Sequence, residues 1–164
     1  MVTHVFCMCY GGHKQIKACE LCFFYLQLNL KMRHRVEIIY VVDDDDIYQY
    51  AIKRKILKRK LSAEVNTFKN GKDAIKYLSE VVGRGEPLPD MILLDLNMPI
   101  MDGWDFLDEY VQISPKLTKK ILLYVVSSSV QSSDIDRARR ISGVTDYIVK
   151  PIDDQQLDEI LIKA

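Results

Sequence analysis

Four carboxylates stand side by side in YVVDDDDIY (40–48): Asp43, Asp44, Asp45 and Asp46. A fifth, Asp95, closes the apolar run DMILLD (90–95). Hydroxyls follow another apolar run at Ser127, Ser128 and Ser129, and an ammonium follows a third at Lys150, just before Pro151. Singly, each has an ordinary explanation. An Asp after a strand caps the next helix, and Asp45 or Asp46 is expected to do so; loop serines and lysines face water. Together they form one donor set. Adjacent carboxylates repel one another, and a hard divalent cation relieves the repulsion. Mg²⁺ takes oxygen ligands in octahedral geometry, keeps several waters, and is held by one or two carboxylates plus a phosphate. Two or three of these Asp suit it. A Ca²⁺ loop is the rival metal reading, but the D-x-D-x-D-G spacing with a distal Glu is absent.

The segments in between must bring these groups to one place. EIIYVV (37–42) is a short β-branched apolar run, hence a buried strand. IYQYAIKRKILKRKL (47–61) carries Ile47, Ala51, Ile56 and Leu57 at helical spacing. AEVNTF (63–68) alternates as a second strand, Asn70-Gly71 signals a turn, and KDAIKYLSEVV (72–82) reads as a helix. GRGEPLP (83–89) is a loop before the third strand, DMILLD. GWDFLDEYV (103–111) places Trp104, Leu107, Tyr110 and Val111 on one helical face, and ISPKLTK (113–119) is a loop. KILLYVV (120–126) is the fourth strand, SDIDRARRI (133–141) a helix capped by Ser132 or Ser133, and VTDYIV (144–149) the fifth strand. DDQQLDEILI (153–162) is a last helix with Leu157, Ile160 and Leu161 inward. Five βα units predict an α/β fold with a parallel sheet covered on both faces, doubly wound because five units are too few for an eight-stranded barrel. Ligands of such sheets bind outside the carboxyl ends of the strands. Four of the five strand ends carry the groups named above.

With 164 residues, 48% of them hydrophobic and 28% charged, the chain can build one domain with a core. Lys+Arg and Asp+Glu balance at 23 each, so no overall charge points to nucleic acid or a membrane. The basic run KRKILKRK (53–60) is expected on a solvated helix face, with a docking surface for an acidic partner as the alternative. Residues 1–35 lack a clean period and hold all four cysteines, Cys7, Cys9, Cys19 and Cys22, near His4 and His13. A poorly ordered leader, or a natural start at Met32, is preferred there to a zinc site. No disulfide framework and no stretch apolar enough to span a bilayer occur, so a cytoplasmic protein is expected.

VVDDD, ILLDLNMPIMDGWDF (92–106), VVSSS and YIVKP, in this order, resemble the receiver domain of two-component response regulators. The resemblance spans residues 36–164 and implies the flavodoxin-like (CheY-like) strand order 2-1-3-4-5. It also implies that Asp95 is the phosphoacceptor, that Asp44 ligates Mg²⁺ directly and Asp43 through a metal-bound water, and that Asn97 adds a backbone carbonyl. Ser127 would take the Thr/Ser switch position and Tyr147 the switch aromatic, turning inward on activation. Lys150 would meet a phosphoryl oxygen, and the Lys150-Pro151 bond would be cis. The donor would be a phosphohistidine on a histidine kinase or histidine phosphotransfer protein. No output domain follows the fifth helix, so a stand-alone receiver is expected, acting on a downstream protein without direct DNA binding. The expected role is a signalling switch that phosphorylates and dephosphorylates itself. Haloacid-dehalogenase-like enzymes want a second acid two residues after the nucleophile, where this chain has Asn97. A pseudo-receiver that never takes phosphate fits poorly with intact Asp43, Asp44, Asp95, Ser127 and Lys150.

Overall fold

In the first strand, β1 (Ile38–Val42), alternate residues enter different cores. Ile39 and Val41 join one cluster, and Tyr40 and Val42 the other. That is the signature of a strand buried on both faces. The computed structural model describes residues 36–59 and 64–163. The remaining elements are α1 (Asp46–Lys58), β2 (Glu64–Phe68), α2 (Gly71–Arg84), β3 (Met91–Leu94), α3 (Gly103–Ile113), β4 (Leu122–Ser127), α4 (Ser132–Arg140), β5 (Val144–Val149) and α5 (Asp154–Lys163). A single 3₁₀ turn, Ser114–Lys116, follows α3. The strands pair in parallel in the order β2-β1-β3-β4-β5, as expected. The leader and its cysteines lie outside the described residues. No described helix is long and apolar enough to cross a membrane.

One core lies between the sheet and α2, α3 and α4, through Ala74, Leu78, Phe106, Leu107 and Ala138. The other lies under α1 and α5, through Ile52, Ile56, Leu157, Ile160 and Leu161. Each fully buried aliphatic side chain contributes about 1.5–3 kcal/mol of transfer free energy, so two filled faces hold the sheet between its helices.

Of the four α1 residues read at helical spacing, Ile56 is buried and the other three are not. Ile47 is 81% exposed and Leu57 and Ala51 face solvent, while Gln49, Ile52 and Ile56 are buried. The cause is a polar anchor. The Gln49 amide donates to the carbonyls of Asp43 and Phe68, which end β1 and β2, and this turns the helix. In α3 the buried face is Phe106, Leu107 and Tyr110, with Val111 only half-buried. The N-cap of α4 is Gln131 rather than a serine, without a side-chain bond. Instead Ser129 Oγ donates to Asp134 Oδ2 at 2.6 Å and ties the preceding loop to the helix.

The basic run is not wholly solvated. Lys55 and Arg59 reach across to Asp154 at 3.2 and 3.3 Å, and Arg59 also pairs with Asp158. Two cations of the run thus pair with α5, while Arg54 and Lys58 face solvent. At the opposite end of the sheet, Asp90 accepts from the N–H groups of Glu37 and Ile38 at 2.7 and 3.0 Å and pairs with Lys119 at 2.6 Å.

Candidate phosphoacceptor site

The sheet's hydrogen-bond ladder runs one residue past the strands. Asp43 N–H donates to Phe68 O at 2.9 Å, Asp95 N–H to Val42 O at 2.8 Å, and Lys150 N–H to Ser127 O at 2.9 Å. Three residues in unrelated segments are thereby fixed side by side at the carboxyl edge. Asp43 and Asp95 are buried, whereas Asp44 is exposed. Carboxylate oxygens of Asp43, Asp44 and Asp95 lie within 4.8 Å of one another. Lys150 Nζ stands 2.6 Å from Asp43 Oδ2 and 3.2 Å from Asp95 Oδ2.

Each of the two buried carboxylates also has a backbone donor. Asp43 Oδ1 accepts from Asp45 N–H at 3.0 Å, and Asp95 Oδ1 from Leu96 N–H at 2.8 Å. These bonds leave the Oδ2 edges for Lys150. Burial pushes the Asp95 carboxyl above the usual carboxylate range; Lys150 pulls against this, and the Asp43 charge adds to it. The other half of the quartet does local work. Asp45 caps α1, accepting from Ile47 and Tyr48 N–H, and Asp46 pairs with Lys69 at 2.8 Å.

The loop after Asp95 is shaped by two unusual residues. Gly103 N–H donates to Leu96 O at 2.9 Å. A Cβ there would lie 2.4 Å from Asp95 O and 2.7 Å from Leu96 Cα, so only glycine lets α3 start this close to the acceptor. Ile100 has φ +73°, a left-handed conformation that a β-branched residue adopts only under strain, and its side chain is 79% exposed. Asn97 is exposed on the same loop.

Ser127 is fully buried and not bonded to the carboxylates; its Oγ accepts from Ser129 N–H at 3.3 Å. The Tyr147 hydroxyl donates to Ser129 O at 2.8 Å and the ring is buried. The Tyr147 ring thus stands inward in this structure. The Lys150-Pro151 bond is cis, as the resemblance implied.

Sequence reasoning missed Tyr48, whose ring centroid lies 4.5 Å from Lys150 Nζ. The signal was available but masked. Once Asp45 caps the helix, Tyr48 falls in its first turn over the site, and assigning Ile47 to the core turned it outward.

The donor set fits a hard divalent cation. Three carboxylates converge, one of them open to solvent, and the ammonium lies against two of them as a monovalent counterion.

Comparison with known proteins agrees with this geometry. The family model for the response regulator receiver domain matches residues 39–162. The chain belongs to that family, in which phosphorylation on an Asp is characteristic. It is 31% identical over 120 residues to the probable methanogenesis regulatory protein FilR2 of Methanothrix harundinacea, covering 73% of this chain and 76% of that protein. It is 33% identical over 129 residues to the sensor histidine kinase CheAY of Helicobacter pylori, covering 78% of this chain but only 15% of that protein. A two-component response regulator from Cytophaga hutchinsonii superimposes with a TM-score of 0.72 at 27% identity, covering 79% of this chain and 97% of the other.

Proposed function

We propose that residues 36–164 form a phosphorylation switch in which Asp95 accepts a phosphoryl group from a phosphohistidine on a histidine kinase or histidine phosphotransfer protein. The observation that carries this reading is the Lys150 ammonium bridging Asp43 and Asp95 beside Asp44, at the carboxyl edge of the sheet. Asp43, Asp44 and Asp95, with the Asn97 carbonyl, would hold Mg²⁺. Bound there, the ion would neutralise the carboxylates and the charge of the transferring group.

The remaining chemistry belongs to the chain. An Asp95 carboxylate oxygen attacks phosphorus in line, the phosphorus–nitrogen bond to the donor histidine breaks, and an acyl phosphate results. Lys150 leaves Asp95 Oδ2 and bonds a phosphoryl oxygen. Ser127, whose oxygen accepts only from Ser129 N–H, turns its O–H toward the new oxygens. Water later attacks the same phosphorus and returns Asp95 to a carboxylate.

The signal would leave through a short chain of bonds. Movement of Ser127 strains its bond to Ser129 N–H, and Ser129 O is the acceptor for the Tyr147 hydroxyl. The loop between β4 and α4 and the Tyr147 ring then shift as one unit. We place the changed partner surface on α4, β5 and α5, acting through protein contacts.

The test is direct. Purified protein is incubated with acetyl phosphate, with and without Mg²⁺, and its intact mass measured beside Asp95→Asn. A Mg²⁺-dependent gain of one phosphoryl group, absent in the mutant, is expected. No gain under any condition overturns the reading.

A further inference from the structure

Among the described residues, the Lys150 ammonium meets an aromatic ring as well as its two carboxylates. Besides the carboxylates at 2.6 and 3.2 Å, its ammonium lies 4.5 Å from the centroid of the Tyr48 ring. A cation within about 6 Å of an aromatic face is attracted by the ring quadrupole, most strongly where water is excluded. The Lys150 side chain is only 14% exposed, so water is largely excluded here.

The ring is held firmly. Tyr48 N–H donates to Asp45 Oδ1 at 3.1 Å, and the next residue, Gln49, is tied to Asp43 O and Phe68 O. The helix turn that carries the ring is therefore held by its cap at Asp45 and, through the Gln49 side chain, by the ends of β1 and β2. The Tyr48 hydroxyl, by contrast, is buried with no hydrogen-bond partner among the described residues. Such a group costs stability, so a hydrogen bond does not explain a tyrosine here. The ring face against Lys150 explains an aromatic residue here.

We propose that Tyr48 is a positioning residue for Lys150. Its ring keeps the ammonium at the site when the carboxylate oxygens turn to a divalent cation and the phosphoryl group arrives. At that moment Lys150 loses two anionic neighbours. A four-carbon stem would then be free to swing to solvent. The ring is the one neighbour that stays, and it leaves the ammonium within reach of the incoming phosphoryl oxygens.

This inference rests on the receiver reading, and two readouts separate them. The first needs neither metal nor phosphate: the ring-current shift of the Lys150 side-chain protons by NMR. It should be present in wild type, Tyr48→Phe and Tyr48→Trp, and absent in Tyr48→Leu and Tyr48→Met. The second is the rate of phosphorylation by acetyl phosphate with Mg²⁺. Both non-aromatic variants should be slower by roughly five- to tenfold, and Tyr48→Phe should restore the rate. Two non-aromatic variants are used so that one that folds poorly can be set aside on its amide spectrum. Wild-type rates in a folded Leu or Met variant would overturn the proposal. So would a Phe variant as slow as they are, since that would make the hydroxyl the active part. If wild type takes no phosphate, the receiver reading fails, and the ring-current shift still decides whether Tyr48 holds Lys150.

Discussion

Replacing Lys150 with Met removes the site's ammonium while keeping most of its stem, and the structure sets the expected size of the loss. Among the described residues, Lys150 is the one cation paired with Asp43 or Asp95. Those carboxylates are 2% and 6% exposed, so neither can be fully rehydrated without moving the strand ends. Breaking a buried ion pair by removing one partner costs about 3–5 kcal/mol. The lower end applies, because each carboxylate keeps one backbone N–H and the exposed Asp44 side admits water. A loss of about 3 kcal/mol corresponds to a fall in Tm of roughly 6–12 °C for a chain of this size. The assay is urea unfolding in EDTA, repeated with Mg²⁺. In EDTA the variant should show the full loss. With Mg²⁺ it should recover more than half of it, and wild type should gain less, because in wild type the ammonium competes for the same oxygens. An EDTA deficit below about 1 kcal/mol, the scale of an exposed pair, or equal Mg²⁺ gains in both proteins would refute the reasoning.

Gly103→Ala should be destabilising by about 2–3 kcal/mol despite the better helix propensity of alanine, because its Cβ meets Asp95 O at 2.4 Å; Mg²⁺-dependent phosphorylation should fall with it, as mass spectrometry and urea unfolding can check. Ile100→Gly should stabilise by about 0.5–1 kcal/mol, since it relieves a left-handed β-branched residue that buries almost nothing. A lower urea midpoint would count against that account. Asp90→Ala should cost about 2 kcal/mol at neutral pH through the lost bonds from Glu37, Ile38 and Lys119. Burial works against the Asp90 carboxylate, but those bonds hold its pKa below the ordinary value. Its contribution is therefore complete above about pH 5 and fades as pH falls through about 4 and below. The gap between wild type and variant should close over that window in a pH series of thermal melts.

Much of the fold was legible because strands buried on both faces are near-continuous apolar runs, and four of the five end on groups that stand out against them. Asp43, Asp95, Ser127 and Lys150 could be read for the same reason. The faces of α1 and α3 were harder. Apolar spacing alone favoured Ile47 and Leu57, and it could not know that Gln49 would be drawn inward by two strand-end carbonyls. The pairing of Lys55 and Arg59 with α5 was hidden too, since their partners lie about a hundred residues away in the chain. Tyr48 combined both difficulties. Its position depended on the helix face, and its role depended on a lysine from the other end of the domain.

The charges of the site also imply an order of events. Three carboxylates against one ammonium leave two negative charges in excess, and two of the carboxylates are buried. A phosphoryl donor carries further negative charge and is repelled from such a site. On the proposed function, a divalent cation would cancel the excess and would therefore bind before the donor. Transfer then replaces one carboxylate charge by a phosphoryl group of about −1.5 to −2, so the site becomes negative again by up to about one unit. Lys150 is already committed, and the Ser127 hydroxyl, which among the described residues only accepts a bond, is a free donor at the same edge of the sheet. On the proposed function, the residual charge that the cation and the lysine leave uncancelled would pull Ser127, and through Ser129 it would reach Tyr147. On this argument Ser127→Ala should still take phosphate, because the cation and Lys150 carry the transfer. It should lose the accompanying change in the Tyr147 ring signals, since no hydroxyl remains to be pulled.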